Sequence, residues 1–181
     1  MDRIEKIIND PFYCKCLSLN DERERDRLFC RHDFSHMFRV SLISYKILID
    51  TGRQGDIAGW AVELPPARLK EIVYAAGLLH DIGRWRQYDT GEDHAGAGAV
   101  MAGEILARSG FSGKEARLIA RAISEHRRPG PRSGMLGRVL CLADDLSRPC
   151  LSCGARFECY KYDHMENIKE KNLAGYVLDS V

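Results

Sequence analysis

Apolar positions recur along most of this chain at spacings of three and four, the period of a helix with one buried face. Residues 2–9 read as a short helix that stops at Asp10-Pro11, and "NDERERDRLFC" (residues 20–30) as a charged helix with few core positions. From Asp33 to about Asp50 the stripe is Phe34, Phe38, Leu42, Tyr45 and Ile49, with Asp33 as N-cap and Gly52 as stop. "GWAVELPP" (residues 59–66) breaks the pattern, and a helix from about Pro66 to Asp81 follows, with Gly83 as its C-terminal glycine. A loop rich in Tyr, Asp, Thr and Gly leads to His94. Further helices are predicted at about 95–109, 113–126 and 134–147, the last two parted by "RRPGPRSG". The tail, 150–181, reads as loop with one short charged helix around Asp163–Asn172. Almost nothing alternates with the period of two that a strand requires. The fold class is all-α, a helical bundle around one core.

Composition narrows this further. A chain of 181 residues, 45% hydrophobic, suits a single domain spanning 1–181 and excludes global disorder. With 27 basic against 26 acidic side chains the net charge is +1, so no nucleic-acid surface is expected. No apolar run approaches the roughly 20 residues that cross a bilayer. The N-terminal "MDRIEKIINDPFYCKC" mixes charges into its apolar positions, unlike a secretory signal. The expectation is a cytoplasmic protein with no membrane partner. Seven cysteines in a reducing compartment are then free thiols or metal ligands. Cys150, Cys153 and Cys159 cluster in "CLSCGARFEC", where the C-x2-C spacing marks a candidate structural zinc site. A fourth ligand would come from Cys14, Cys16 or His164, and free thiols are the competing reading.

The histidines carry the chemistry. In the 66–81 helix the apolar stripe Leu69, Ile72, Val73, Ala76 continues to His80, and in the 113–126 helix Ala116, Ile119, Ala120, Ile123 continue to His126. His36 lies near the start of its helix, and Asp144 follows Leu136 and Leu140 at steps of four, although Asp145 is an alternative inward carboxylate. "VLCLADDL" is apolar nearly all round, and a carboxylate buried there is costly unless paired or bound to a cation. Several helices thus each deliver a His or Asp from the core side near one end, which is how a bundle builds a metal site. His32 is read as a surface or supporting residue and His164 as a tail residue.

The order His36, His80-Asp81, Asp144, within "HMFRV", "LLHDIGR" and "LADDLSR", resembles the HD superfamily of metal-dependent phosphohydrolases over about His32–Arg148. The resemblance implies an HD-domain helical bundle as the core, flanked by N-terminal helices and a Cys-containing tail. It implies that His36, His80, Asp81 and Asp144 hold a divalent metal (Mn, Fe, Co, Ni, Zn or Mg). "DHAGAGAVMAGEIL" and "AISEHRR" resemble segments of members that bind two ions, so His94 and His126 are site residues, for a second ion or for catalysis alongside Asp81. Arg84 and Arg127 are candidate phosphate-binding residues, because a guanidinium fork suits phosphate oxygens. The implied reaction is hydrolysis of a phosphate ester of a nucleotide or related small molecule. The Gly-Tyr-Pro motif of the cyclic-dinucleotide branch is missing from "RRPGPRSG", which argues against that activity. Two alternatives stay open: a di-iron oxygenase, which the six-residue order permits, and a non-catalytic metal-dependent sensor or interaction module.

Overall fold

Capping chemistry sets where the helices begin. The computed structural model describes residues 1–57 and 65–163. In it α1 (Asp2–Ile8) is followed at once by α2 (Pro11–Arg23). The Asp10 carboxylate accepts hydrogen bonds from the Phe12 and Tyr13 backbone N–H groups, and Pro11 takes the first helical position, where no N–H is required. The charged helix expected at 20–30 therefore starts earlier and ends at Arg23. Next come α3 (Phe34–Asp50), α4 (Pro66–Leu79), α5 (Arg84–Thr90), α6 (His94–Arg108), α7 (Gly113–Glu125) and α8 (Met135–Leu146). No strand occurs among the described residues. The expected loop before His94 is largely α5, closed by Gly91 at φ 76°. Residues 59–64 of the expected break, His164 and most of the short helix expected around Asp163–Asn172 lie outside the described residues.

The helix with the longest unbroken buried run is the central one. In α4 every residue from Ile72 to Leu79 is buried, and the helix packs against α3 and α7 and also meets α1, α6 and α8. An element surrounded on all sides has no polar face to offer, so its sequence runs apolar nearly throughout.

α3 is turned away from the face its apolar stripe suggests. Phe34 (41%), Phe38 (37%), Leu42 (42%) and Ile49 (43%) remain well exposed. The face against α4 and α8 carries His36, Met37, Val40, Ser41, Ser44, Ile47 and Leu48. The cause is how closely α3 and α4 approach. A Cβ on Gly77 would stand 2.5 Å from Ser41 Oγ and 2.6 Å from the Ser41 backbone. Only small side chains fit such a crossing, and the Ser41 hydroxyl is satisfied inside it by the Met37 and Tyr74 carbonyls. Hydrophobicity alone assigns those serines to solvent. Backbone proximity assigns them to the core.

Asp10 also ties α2 to the far end of α6, accepting from Arg108 Nε at 2.8 Å and from an amino nitrogen at 3.1 Å. That guanidinium, together with the capping N–H groups, holds the Asp10 carboxyl below its ordinary pKa despite burial. Asp10→Ala is expected to cost about 1–2 kcal/mol through the lost cap, read as a lower midpoint in urea at pH 7. A depressed folded pKa means stability that is present above the unfolded value of about 4 and lost as pH falls through the folded one. The gap between the two proteins is therefore expected to close in acid.

Candidate metal centre

Five imidazoles converge on one carboxylate, and each has its Nδ1 already engaged. His80 and His126 sit at the C-terminal ends of α4 and α7, where carbonyls lack helical partners. Their Nδ1–H groups donate to the Gly77 carbonyl at 2.7 Å and the Ile123 carbonyl at 2.6 Å. His36, whose backbone N–H is held by the Asp33 cap, donates from Nδ1 to Ser147 Oγ at 3.1 Å, while that hydroxyl gives its own proton to the Asp144 carbonyl. His94 opens α6 with its Nδ1 between Gln87 Oε1 and, at 2.9 Å, an Arg84 amino nitrogen, and His32 donates from Nδ1 to Glu24. For His32, His36, His80 and His126 the partners fix the tautomer and leave the Nε2 lone pair facing inward, and the His94 Nε2 faces inward with them.

Asp81 lies where they meet. Its Oδ2 is 3.3 Å from His80 Nε2, 3.6 Å from His32 Nε2 and 3.9 Å from His36 Nε2. Its Oδ1 is 2.9 Å from His94 Nε2 and 3.5 Å from His126 Nε2. Asp144 enters from α8, with Oδ1 at 3.3 Å from His36 Nε2. Among the described residues two groups place their ligand atoms within 4.8 Å of one another: His36, His80, Asp81 and Asp144, and Asp81, His94 and His126. All six residues are buried.

The donor set fits a divalent cation. Lone pairs aimed at carboxylate oxygens set acceptor against acceptor, which is repulsive until a positive charge lies between them. His36 Nε2, His80 Nε2 and Asp81 Oδ1 are buried without a hydrogen-bond partner. Neutral imidazoles held by second partners, together with ionised carboxylates, are the standard ligands of transition metals. For His36, His94, Asp81 and Asp144 the protonation states agree. Burial pushes His36 and His94 below the usual imidazole range. For Asp81, burial acts upward, but the surrounding imidazoles, led by His80 and His32, outweigh it and hold the carboxyl well below the usual range. Asp144 is likewise held low, with Arg148 and His36 outweighing its burial. Burial acts downward on His80, yet the Asp81 charge beside it leaves it raised.

The remaining predicted residues fall around one cleft of about 460 Å³ that opens onto Asp81, His94, His126 and Asp144. Arg84 lines it, bonded to Gln87 and Tyr88, and so does Arg127, paired with Asp93 at 2.6 Å. Asp145 is buried beside Asp144 but bonds Lys161 at 2.9 Å. Neither ligand group contains a cysteine, and among the described residues Cys150, Cys153 and Cys159 do not form a third such group. Cys150 and Cys159 instead border the cleft, together with Cys30 and Cys141.

The sequence reading leaves His32 between surface and support and misses Glu24 and Asn20. His32 is 3% exposed and belongs to the wall of the centre, and its spacing of four from His36 was the available signal. Glu24 is buried against it, and Asn20 is fully buried, donating to the Asp81 carbonyl at 3.0 Å and accepting from the Trp85 N–H at 2.8 Å. Asn20 thereby fixes the turn between α4 and α5 in which Asp81 sits. Nothing in the local sequence distinguishes Glu24 or Asn20 from surface residues of a charged helix. Gly83 serves this turn through space, not through conformational freedom. Its φ is −85°, open to any residue, yet a Cβ there would lie 2.6 Å from the Gly98 nitrogen and the His94 carbonyl oxygen.

Among the described residues no helix is long and apolar enough to cross a membrane. A crystal structure of a predicted HD superfamily hydrolase from an uncultured Thermotogales bacterium is similar to this chain, with a TM-score of 0.54 and 25% identity. The similarity covers 92% of this chain and 89% of that one. An uncharacterized protein of Clostridium beijerinckii is 32% identical over 93% of this chain and 98% of its own length. A shorter match, 40% over 57 residues, joins 32% of this chain to 6% of a bifunctional uridylyltransferase/uridylyl-removing enzyme of Bradyrhizobium diazoefficiens. The profile of the HD domain matches residues 33–148, a span that holds all six residues of the two ligand groups and the helices that carry them, and the chain belongs to the HD domain family.

Proposed function

We propose that the chain is a metal-dependent phosphohydrolase that cleaves a phosphate ester of a nucleotide or related small molecule. In this assignment His36, His80, Asp81 and Asp144 hold one divalent ion, and Asp81, His94 and His126 a second. The observation that carries it is the division of Asp81 between two ligand groups, Oδ2 toward His80 and His36 and Oδ1 toward His94 and His126. Divalent ions at such a centre lower the pKa of water and offset charge on phosphoryl oxygens.

The chain's own residues supply the rest. The imidazoles are fixed by their Nδ1 partners before substrate arrives, so little reorganisation accompanies the reaction. Asp81, ionised, is placed to orient the attacking water, and His94 and His126 border the cleft where a phosphoryl group would sit. A cleft of about 460 Å³ suits a nucleotide-sized ligand. Its lining carries Arg27, Arg84, Arg127, Arg128, Arg148 and Lys161 against three carboxylates, a balance that draws an anion inward. Arg84 and Arg127 are assigned to bind the phosphate. The uridylyl-removing relative matches over too little of its length to indicate which ester is cut.

The test is ion analysis of protein purified without added metal, followed by a panel of nucleotides and simple phosphoesters. Phosphate release that stops with a chelator and returns with Mn²⁺ is the expected result. Ion-loaded protein that consumes oxygen and releases no phosphate would assign the centre to oxygen chemistry instead. Ion-loaded protein with neither activity would assign a sensor role.

A further inference from the structure

Arg148 stands on a ligand carboxylate with part of its guanidinium uncommitted. The side chain is 9% exposed and borders the cleft, and one amino nitrogen lies 2.6 Å from both Asp144 oxygens. Asp144 is a member of the group that also contains His36, His80 and Asp81. Arg148 Nε is buried without a hydrogen-bond partner, 3.9 Å from Asp145 Oδ1, while Asp145 accepts from Lys161. Arg148 thus has a donor already desolvated and waiting for an acceptor, and leaving such a group unmet is costly.

Two cations contend for the same buried oxygens. Asp144 is too deeply buried to stay ionised alone, so either the guanidinium or a metal ion must neutralise it. A divalent ion shared with His36, His80 and Asp81 takes the carboxylate more strongly than a singly charged guanidinium can. Arg148 sits one turn past Asp144, beyond the end of α8, while the Ser147 hydroxyl holds the Asp144 carbonyl. The backbone there is anchored, and the long side chain can turn without disturbing it.

Resting on the phosphohydrolase assignment above, we propose that Arg148 couples ion binding to capture of the phosphate anion. Its guanidinium neutralises Asp144 in the ion-free protein and presents its fork to phosphate once an ion occupies the Asp144 oxygens. A bidentate fork on phosphate is the strongest arrangement open to the freed donors. Linkage is reciprocal, so the anion must tighten ion binding by the same factor that the ion tightens anion binding.

The test is calorimetric titration of Mn²⁺ into the full chain, with and without inorganic phosphate, for wild type, R148Q and R148K. Saturating phosphate is expected to tighten Mn²⁺ binding about tenfold in wild type, within the usual range of site-to-site coupling. R148Q, lacking the competing cation, is expected to bind Mn²⁺ about tenfold more tightly than wild type and to respond to phosphate hardly at all. R148K keeps the charge and loses the fork, so its Mn²⁺ affinity should match wild type while the phosphate response shrinks. Weaker or unchanged Mn²⁺ binding in R148Q would mean that Arg148 only holds Asp144 in a ligating posture, and would overturn the proposal. If R148Q does not fold by circular dichroism, R148K decides, and an undiminished phosphate response there overturns it. Wild-type protein that binds no divalent ion would remove the phosphohydrolase assignment and this inference together, so the two failures are distinguishable.

Discussion

Asp81→Asn protein is expected to fold, to purify with no ion in either ligand group, and to lose about 10³-fold or more in kcat/KM, roughly 4 kcal/mol of transition-state stabilisation. Asp81 is the one residue common to both groups, so a change there is expected to empty both, whereas His126→Ala touches only one. Asn is nearly isosteric, and its amide brings N–H donors where the carboxylate had only acceptors. The bare Nε2 atoms of the surrounding histidines then gain a donor, and the convergence of lone pairs no longer demands a cation. Mn²⁺ should raise the melting temperature of wild type alone, because only a protein that binds the ion in its folded state is stabilised by it. Ion analysis and paired melting curves read both results. An Asp81→Asn protein carrying the wild-type complement of ions would show that Asp81 is not the shared ligand.

Gly83→Ala is expected to cost about 3 kcal/mol or more, an overpacking penalty that no side-chain rotation can relieve. The atoms that a Cβ would meet are backbone: the Gly98 nitrogen and the His94 oxygen at 2.6 Å, and the Gly98 Cα at 3.0 Å. α6 has to move as a unit to admit the methyl group, and His94, its first residue, moves with it away from Asp81 Oδ1. For a chain of this length the loss corresponds to a melting temperature lower by about 6–12 °C. Ion affinity should fall with it. Gly91→Ala is the control, with open space around it and φ of 76°. It should cost only about 1 kcal/mol of backbone strain and leave ion binding intact. A Gly83→Ala protein as stable as wild type would mean that α6 is free to shift.

His80 and His126 were legible because each continues an apolar stripe to the end of its helix, a position that only burial or ligation explains. The same rule failed on α3, where large apolar residues face outward and serines face in. The crossing with α4 at Gly77 leaves no room for anything larger than Ser41. α5 was hidden for a different reason. Its seven residues contain no apolar repeat, and it is held by α2 through Asn20 and stopped by Gly91. Glu24 and His32 lie in a charged stretch that reads as surface, and their burial follows from where α2 docks.

The sequence by itself determined the helical class, most of the helix spans around the site and the order of ligand-type residues, because hydrophobic period, caps and spacing are local properties. Only the tertiary structure decided that Asp81 divides its two oxygens between two groups, that five Nε2 atoms face it, and that Arg148 pairs with Asp144 at the edge of the cleft. Those are relations between helices distant in sequence, set by how closely α3, α4 and α6 approach. Such approach depends on backbone against backbone, at Ser41 and Gly77 and at Gly83 and Gly98, where small residues make contacts that a hydrophobicity pattern does not record.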